Sequence, residues 1–151
     1  QLPRTMDGQM EKTFPDIMRF VETNYRVIAK KESRAIAGLS MGGFHSLHIS
    51  RTYPGTFDYV GLFSAAVLPR SEDISPFYKD LDKSLTIQMK KGYRLYWIAM
   101  GKTDFLYLDM AEYRKRLDTL GMPYEYRESE GGHTWSNWRL YLTEFVPLLF
   151  R

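Results

Sequence analysis

The sequence contains no cysteine, which excludes disulfide bonds and leaves the redox environment of the protein open. No apolar run approaches the length of a membrane span, so we expect no membrane partner. Lysine and arginine exceed the acidic residues by 21 to 18, but they are scattered and include only doublets such as Lys30–Lys31 and Lys90–Lys91. That distribution is typical of solvated faces, and we expect no nucleic-acid partner.

The chain is long enough for one domain and no more. Its 151 residues include a hydrophobic fraction of 44% and a charged fraction of 26%, which is an ordinary globular composition. Residues 1–151 are therefore interpreted as a single domain, without internal repeats or low-complexity tracts.

Helical and strand-like patterns alternate along this domain. Strands are predicted over 35–37, 59–66, 95–100 and 124–128. The predicted helices are 13–25, a second that begins after the turn that follows the first strand and ends at about 53, a third that begins at about 80, and two more over 109–120 and 136–150. Residues 67–92 form a long connection that contains the third helix. Such alternation implies an α/β domain whose parallel sheet is covered by helices on both faces.

A G-x-S-x-G pattern at positions 38–42 lies between the first predicted strand and the following helix. This context is what a nucleophile elbow requires, because its serine must sit in a strained turn that exposes the hydroxyl. Side chains at Gly38 or Gly42 are expected to crowd the turn, and Gly43 would let the helix pack closely. The pattern predicts Ser40 as a nucleophile; the alternative is a glycine-rich turn with an idle serine.

A serine hydroxyl is a weak nucleophile at neutral pH and needs a base that is oriented by a carboxylate. In elbow hydrolases the chain order is serine, acid, histidine, and only His133 meets that order here. It lies in a loop after the fourth predicted strand, at the sheet edge where active sites gather. His45 and His48 are one turn apart on a helix and could suggest a metal pair, but no third ligand has suitable spacing. We interpret them as core or helix-surface residues.

The acid should follow a strand between Ser40 and His133, and Asp104 lies just past the third strand. The alternative is a turn aspartate that caps the next helix, although Asp109 is the better cap candidate. Glu130 is the reserve candidate for the acid, and Asp82, in the long connection, is less favoured.

Three blocks of sequence resemble the esterase-D-like branch of the α/β hydrolases, and within it carbohydrate esterase family 1, the feruloyl and acetyl-xylan esterases. The blocks are GLSMGG at 38–43, GKTDFL at 101–106 and GGHTWSNWR at 131–139. The resemblance implies Ser40 as nucleophile, Asp104 as acid and His133 as base, in agreement with the chain order. The acyl transfer expected of such a triad requires no metal or organic cofactor. Trp135 would border the substrate, or alternatively pack under the catalytic loop.

The length departs from this family, whose members carry several strands before the elbow. The chain resembles the C-terminal part of an α/β-hydrolase fold, with the N-terminal strands missing. The backbone N–H of Met41 supplies one oxyanion donor, and the second is expected from an earlier loop. Loss of one donor typically slows such enzymes by about 10²–10³-fold, so we expect this part alone to be weak or inactive. A half-fold would expose a strand edge, so self-association or a bound N-terminal fragment is expected.

The resemblance implies an esterase that acts on feruloyl or acetyl esters of plant polysaccharide, and therefore a secreted or periplasmic protein. One alternative is another esterase of the superfamily, such as an S-formylglutathione or siderophore esterase. The other is a catalytically inactive truncated hydrolase or a carbohydrate-binding remnant.

Overall fold

The computed structural model describes residues 5–68 and 75–151 and contains one parallel sheet in its described part. The strands are β1 (Ala35–Leu39), β2 (Tyr59–Phe63), β3 (Leu95–Gly101) and β4 (Glu125–Ser129), in the spatial order β1-β2-β3-β4. Leu39 lies opposite Phe63, and Phe63 lies opposite Ala99. The carboxyl ends of the first three strands therefore meet at one edge of the sheet.

In the described part of the chain, five α-helices alternate with these strands, as the sequence pattern predicts. They are α1 (Gln9–Asn24), α2 (Met41–Thr52), α3 (Leu81–Lys91), α4 (Tyr107–Leu120) and α5 (Trp135–Phe145). Within the described ranges, no helix has both the length and the apolar character needed to cross a membrane. Residues 69–74 of the predicted long connection lie outside the described residues.

Several element boundaries differ from the predicted ones for local reasons. Helix α1 begins at Gln9, because the Asp7 carboxylate accepts a hydrogen bond from the Gln9 N–H at 3.0 Å and starts the helix early. Strand β2 ends at Phe63, because Ser64 turns to a φ of 43°. Helix α5 ends at Phe145 and continues as a short 3-10 turn that contains Pro147.

The sheet is covered on both faces, and each face has its own core. On one face, α1 to α4 pack with the sheet around the buried side chains of Phe44, Leu47, Ile98, Met110 and Leu117. On the other face, α5 packs an aromatic cluster against the strands, in which the Trp97 ring lies 5.4 Å from Phe63 and 5.6 Å from Phe145. The predicted α/β arrangement with helices on both faces is confirmed.

Strand β1 lies at the end of the sheet in the described part of the chain. All residues of β2 and β3 are buried, whereas Ile36 alone is buried in β1 and Ala37 is exposed. The apolar run of Ala35, Ile36 and Ala37 predicts a strand buried on both faces, and this prediction is wrong. Beside its outer edge lies an apolar groove of about 400 Å³, to which Ile17, Ile28 and Phe150 contribute side chains that are more than half exposed.

Candidate active site

Ser40 occupies the sharp turn between β1 and α2. Its φ of 52° and ψ of −117° are a strained backbone conformation for a residue that is not glycine. The Ser40 N–H donates to the Phe63 carbonyl at 2.9 Å, and the Ser40 carbonyl accepts from the Ala66 N–H at 3.1 Å. The strained turn is thus held by main-chain hydrogen bonds from the end of β2.

Two of the three glycines at this turn are required by close contacts. A Cβ on Gly38 would lie 2.2 Å from the Gly42 carbonyl, and a Cβ on Gly43 would lie 2.3 Å from the Ala65 Cβ. The expected close packing at Gly43 is confirmed. Among the described residues, a Cβ on Gly42 would meet no neighbouring atom within 4 Å, so the expectation that a side chain there crowds the turn is wrong. The absent side chain of Gly42 would point into open space.

Asp104 and His133 come from different loops and contact each other directly. The His133 Nδ1 lies 3.1 and 3.0 Å from the two carboxylate oxygens of Asp104, whose side chain is fully buried. The Leu106 N–H donates a further hydrogen bond to Asp104 at 3.0 Å. If the Nδ1 carries its proton toward this acceptor-only carboxylate, Nε2 is left as a free acceptor. This is the tautomer that a general base requires.

The other acidic candidates lie in different contacts. Glu130 is exposed and forms an ion pair with Lys102, and Asp82 pairs with Arg116 at 3.0 Å. Asp109 lies in the first turn of α4 and makes no side-chain cap there. Asp104 accepts the N–H of Leu106, the residue just before α4, so it stabilises the turn that leads into the helix without capping the helix itself, and it also contacts His133.

Ser40 and the His133–Asp104 pair are assembled at the same edge of the sheet. Leu39, the last residue of β1, lies opposite Phe63 at the end of β2, and β3 leads directly into the loop that carries Asp104. An apolar cleft of about 270 Å³ opens beside Gly38 and Leu39 at the end of β1 and reaches α5. Met41, the first residue of α2, is about one-third exposed. Its backbone N–H belongs to the first turn of a helix, where N–H groups lack partners inside the helix.

Aromatic side chains surround the imidazole of His133. The Phe105 ring lies 4.6 Å from it, and the Trp138 ring contacts it edge-on at 4.9 Å. Trp135 packs against Trp138 at 5.1 Å and lines the cleft, yet it remains 67% exposed. Trp135 therefore combines a packing contact on one side with a large free surface on the other.

The two histidines of helix α2 form buried contacts within the protein. The His45 Nδ1 lies 2.8 Å from the buried carboxylate of Glu11, and the His48 Nδ1 accepts from the Arg51 Nε at 2.7 Å. Burial, reinforced by Arg51 and His45, lowers the pKa of His48 to about 2. The interpretation of both as core residues is confirmed. Residues 5–68 and 75–151 contain no group of three or more side chains suited to holding a metal ion.

Sequence reasoning missed two residues beside the candidate site, Phe105 and Asn137, and the buried partner of His45, Glu11. Phe105 directly follows the candidate acid, and an aromatic side chain at that position was the available signal. Asn137 lies four residues after His133, and an asparagine inside a helix with an apolar face could have marked a polar contact. The sequence around Glu11 does not indicate that its carboxylate is fully buried, because its partners His45 and Tyr78 lie 34 and 67 residues away.

The chain resembles known esterases in sequence and in fold. The family described as "Putative esterase" matches residues 15–149. An acetyl esterase of Caldicellulosiruptor saccharolyticus is 26% identical over 155 residues, which cover 84% of this chain and 58% of that protein. An esterase of Mycobacterium tuberculosis is 24% identical over 156 residues, which cover 78% of this chain and 34% of that protein. The chain thus spans about half the length, or less, of these curated relatives.

Solved structures show the same arrangement at low sequence identity. The S-formylglutathione hydrolase of Staphylococcus aureus superposes with a TM-score of 0.79 at 21% identity, over 95% of this chain and 61% of that one. The CE1 ferulic acid esterase of Anaeromyces mucronatus has a TM-score of 0.74 at 21% identity, over 95% of this chain and 54% of that one. The prediction that this chain forms part of an α/β-hydrolase fold is confirmed.

Proposed function

Because this chain belongs to the esterase family, we propose that it carries the nucleophile, base and acid of a serine carboxylic-ester hydrolase. The observation that carries the proposal is the contact between the buried Asp104 carboxylate and the His133 Nδ1, which lies at the sheet edge where Ser40 occupies a strained turn. A structural aspartate–histidine pair would have no need of an adjoining strained serine. The combination supports acyl transfer.

In the proposed reaction, the His133 Nε2 takes the Ser40 hydroxyl proton while Ser40 Oγ bonds to the ester carbonyl carbon. The Met41 N–H donates to the carbonyl oxygen as it becomes negative. Asp104 holds the imidazole in place and stabilises its positive charge. His133 then protonates the departing alcohol, and water repeats the attack to release the acid and restore Ser40. No cofactor takes part in these steps.

A second oxyanion donor is expected from a segment that covers the outer edge of β1. The partial burial of β1 and the apolar groove beside it support such a covering, because exposed strand edges and apolar patches are sites of association. An N-terminal fragment, or else a second copy of the chain, would be its source. Without it, turnover is expected to fall by about 10²–10³-fold.

The proposed substrates are feruloyl or acetyl esters of plant polysaccharide, and the proposed location is secreted or periplasmic. The acetyl esterase among the relatives and the ferulic acid esterase among the structures support this substrate class. The exposed rings of Trp135 and Phe105 beside His133 suit stacking on an aromatic acyl group or a sugar. A thioester hydrolase is the second candidate, favoured by the superposition on the S-formylglutathione hydrolase.

Intact-mass spectrometry before and after treatment with a fluorophosphonate probe tests the proposal. One added probe mass that maps to Ser40 is expected, with loss of labelling in Ser40→Ala and retention in the control Ser136→Ala. Asp104→Asn should slow ester hydrolysis by roughly 10⁴-fold, because the imidazole would be held in the wrong tautomer. Full esterase activity in Ser40→Ala would refute the mechanism.

The same preparation separates the remaining alternatives. Relative rates on feruloyl, acetyl-sugar and thioester substrates distinguish a polysaccharide esterase from an S-formylglutathione hydrolase or a siderophore esterase. A 17.8 kDa chain that binds sugar but takes up no probe would instead indicate a catalytically inactive remnant.

A further inference from the structure

We propose that Asn137 is a positioning residue that holds His133 on Asp104. The inference rests on the proposed function, because it assigns Asn137 a role through the candidate base. Asn137 lies on α5, four residues after His133, and its side chain is buried. It has no part in the triad and does not line the apolar cleft.

The amide of Asn137 closes the loop that presents His133. Its Nδ2 donates to the Glu130 carbonyl at 3.0 Å and to the Gly132 carbonyl at 2.9 Å. Both acceptors are main-chain oxygens, and only a group with two N–H bonds can satisfy them together. One side chain therefore fixes the loop at two points, the second of which directly precedes His133.

The loop fixed by Asn137 is also joined to the loop that carries Asp104. The Thr103 N–H donates to the Gly131 carbonyl at 3.0 Å, and the Lys102 N–H donates to the Ser129 carbonyl at 2.9 Å. Gly131 has a φ of 78°, which favours glycine. The acid and the base thus lie on two loops that are linked to each other by main-chain hydrogen bonds.

The two loops approach so closely that a small movement would disturb the pair. A Cβ on Gly101 would lie 2.4 Å from the Gly131 carbonyl oxygen and 2.8 Å from the Asn137 Nδ2. Real Cβ atoms do not tolerate such distances, so the packing at this point leaves no free space. A change at Asn137 is therefore transmitted to the neighbouring loop and to the contact between His133 and Asp104.

Replacement of the amide separates its donor function from its shape. Asn137→Asp keeps the size but replaces the two N–H donors with a carboxylate that faces two carbonyl oxygens. Asn137→Ser retains one short donor and should give an intermediate effect. It replaces Asn137→Asp in the experiment if the aspartate variant does not fold. Ser136→Ala is the matched control, because Ser136 is the adjacent residue of α5 and its hydroxyl lies 2.9 Å from the Thr134 hydroxyl rather than against the loop carbonyls.

The full chain is measured in two ways that do not depend on each other. The low-field proton resonance of the His133 Nδ1–H reports its hydrogen bond to Asp104, and disappears in Asp104→Asn as an assignment control. The second measurement is kcat and KM on an aryl ester, with active sites counted by fluorophosphonate. We expect Asn137→Asp to lose the resonance and to lower kcat by about 10²-fold with little change in KM, because misplacement of a catalytic group by about 1 Å costs that much. Ser136→Ala should match the wild type.

Wild-type resonance and kcat in folded Asn137→Asp, or in folded Asn137→Ser, would overturn the proposal. So would a folded wild type that lacks the resonance. A wild type that shows the resonance but neither takes up the probe nor hydrolyses esters would refute the proposed function. In that case the resonance in the Asn137 variants would still decide the positioning role.

Discussion

The two outer glycines of the G-x-S-x-G pattern are predicted to respond in opposite ways to the same substitution. A methyl group on Gly42 would enter open space, and the residue already lies in a helix without a positive φ. Alanine at such a position stabilises by about 0.4–1 kcal/mol, because it restricts the unfolded chain. In a chain of this size, that change raises the melting temperature by about 1–4 °C.

Gly38→Ala should be strongly destabilising. The new Cβ would lie 2.2 Å from the Gly42 carbonyl carbon and oxygen, and 2.7 Å from the Gly43 nitrogen. All three are main-chain atoms of the first turn of α2, so no side chain can rotate away. Relief requires α2 to move by about 1 Å from a strand to which the turn is hydrogen-bonded, and such overpacking costs at least 1–3 kcal/mol. The melting temperature should fall by several degrees, or the variant should fail to fold.

The comparison is made by thermal unfolding followed by circular dichroism, with both variants and the wild type at one protein concentration. Urea denaturation at 25 °C supplies the free energies of unfolding. Equal destabilisation by Gly42→Ala and Gly38→Ala would refute the reasoning, because it would mean that the space beside Gly42 is not open. A Gly38→Ala variant with the wild-type free energy of unfolding would also refute the reasoning, because it would mean that the close approach between Gly38 and α2 does not exist.

Three further outcomes are expected. Glu11→Ala should lower the free energy of unfolding by about 1–3 kcal/mol in urea denaturation, because it leaves the buried His45 Nδ1 and the Tyr78 hydroxyl without their hydrogen-bond partner. Asp16→Ala, on the exposed face of α1, should cost much less, and equal losses would contradict this account. Burial lowers the pKa of His48 to about 2, so its imidazole is neutral in both states above about pH 6.5, and only the unfolded chain binds a proton below that pH. Stability should then fall by up to about 1.4 kcal/mol per pH unit on acidification, and the His48 ring resonances should not titrate between pH 4 and 8; a midpoint near 6 would refute the assignment. Trp135→Ala should raise KM for a feruloyl ester more than it lowers kcat, and an unchanged KM would exclude a substrate contact.

The alternation of helices and strands could be predicted because side-chain periodicity is a local property of the sequence. The burial of β1 could not, because it depends on what lies beside the strand and not on its own residues. Ala35, Ile36 and Ala37 have the composition of a central strand, yet in the described chain they occupy the end of the sheet. The family resemblance, which implies missing N-terminal strands, agrees with the position of β1 at the end of the sheet. The apolar run alone predicts a burial of β1 that is not found.

The contact between Asp104 and His133 could be predicted because chain order and sheet topology bring both loops to one edge. Contacts that depend on exact loop geometry could not be predicted in this way. A motif does not show which of its glycines faces a neighbour, and Gly42 faces none. The two hydrogen bonds of Asn137 likewise require the path of the preceding loop, which periodicity does not specify.

In the described part of the chain, the outer edge of β1 and the strained turn at Ser40 are structurally separate. Main-chain contacts from the end of β2 hold the turn, through Phe63 and Ala66, and the close approach of Gly43 to Ala65 fixes α2 on the same side. None of these contacts comes from the outer edge of β1. We therefore expect whatever covers that edge to complete the oxyanion site without having to form the turn. Slow labelling of Ser40 by a fluorophosphonate, accelerated when the covering segment is supplied, follows from this separation. Labelling that requires the segment to create the turn itself, seen as a large change in the Ser40 main-chain resonances, would contradict it.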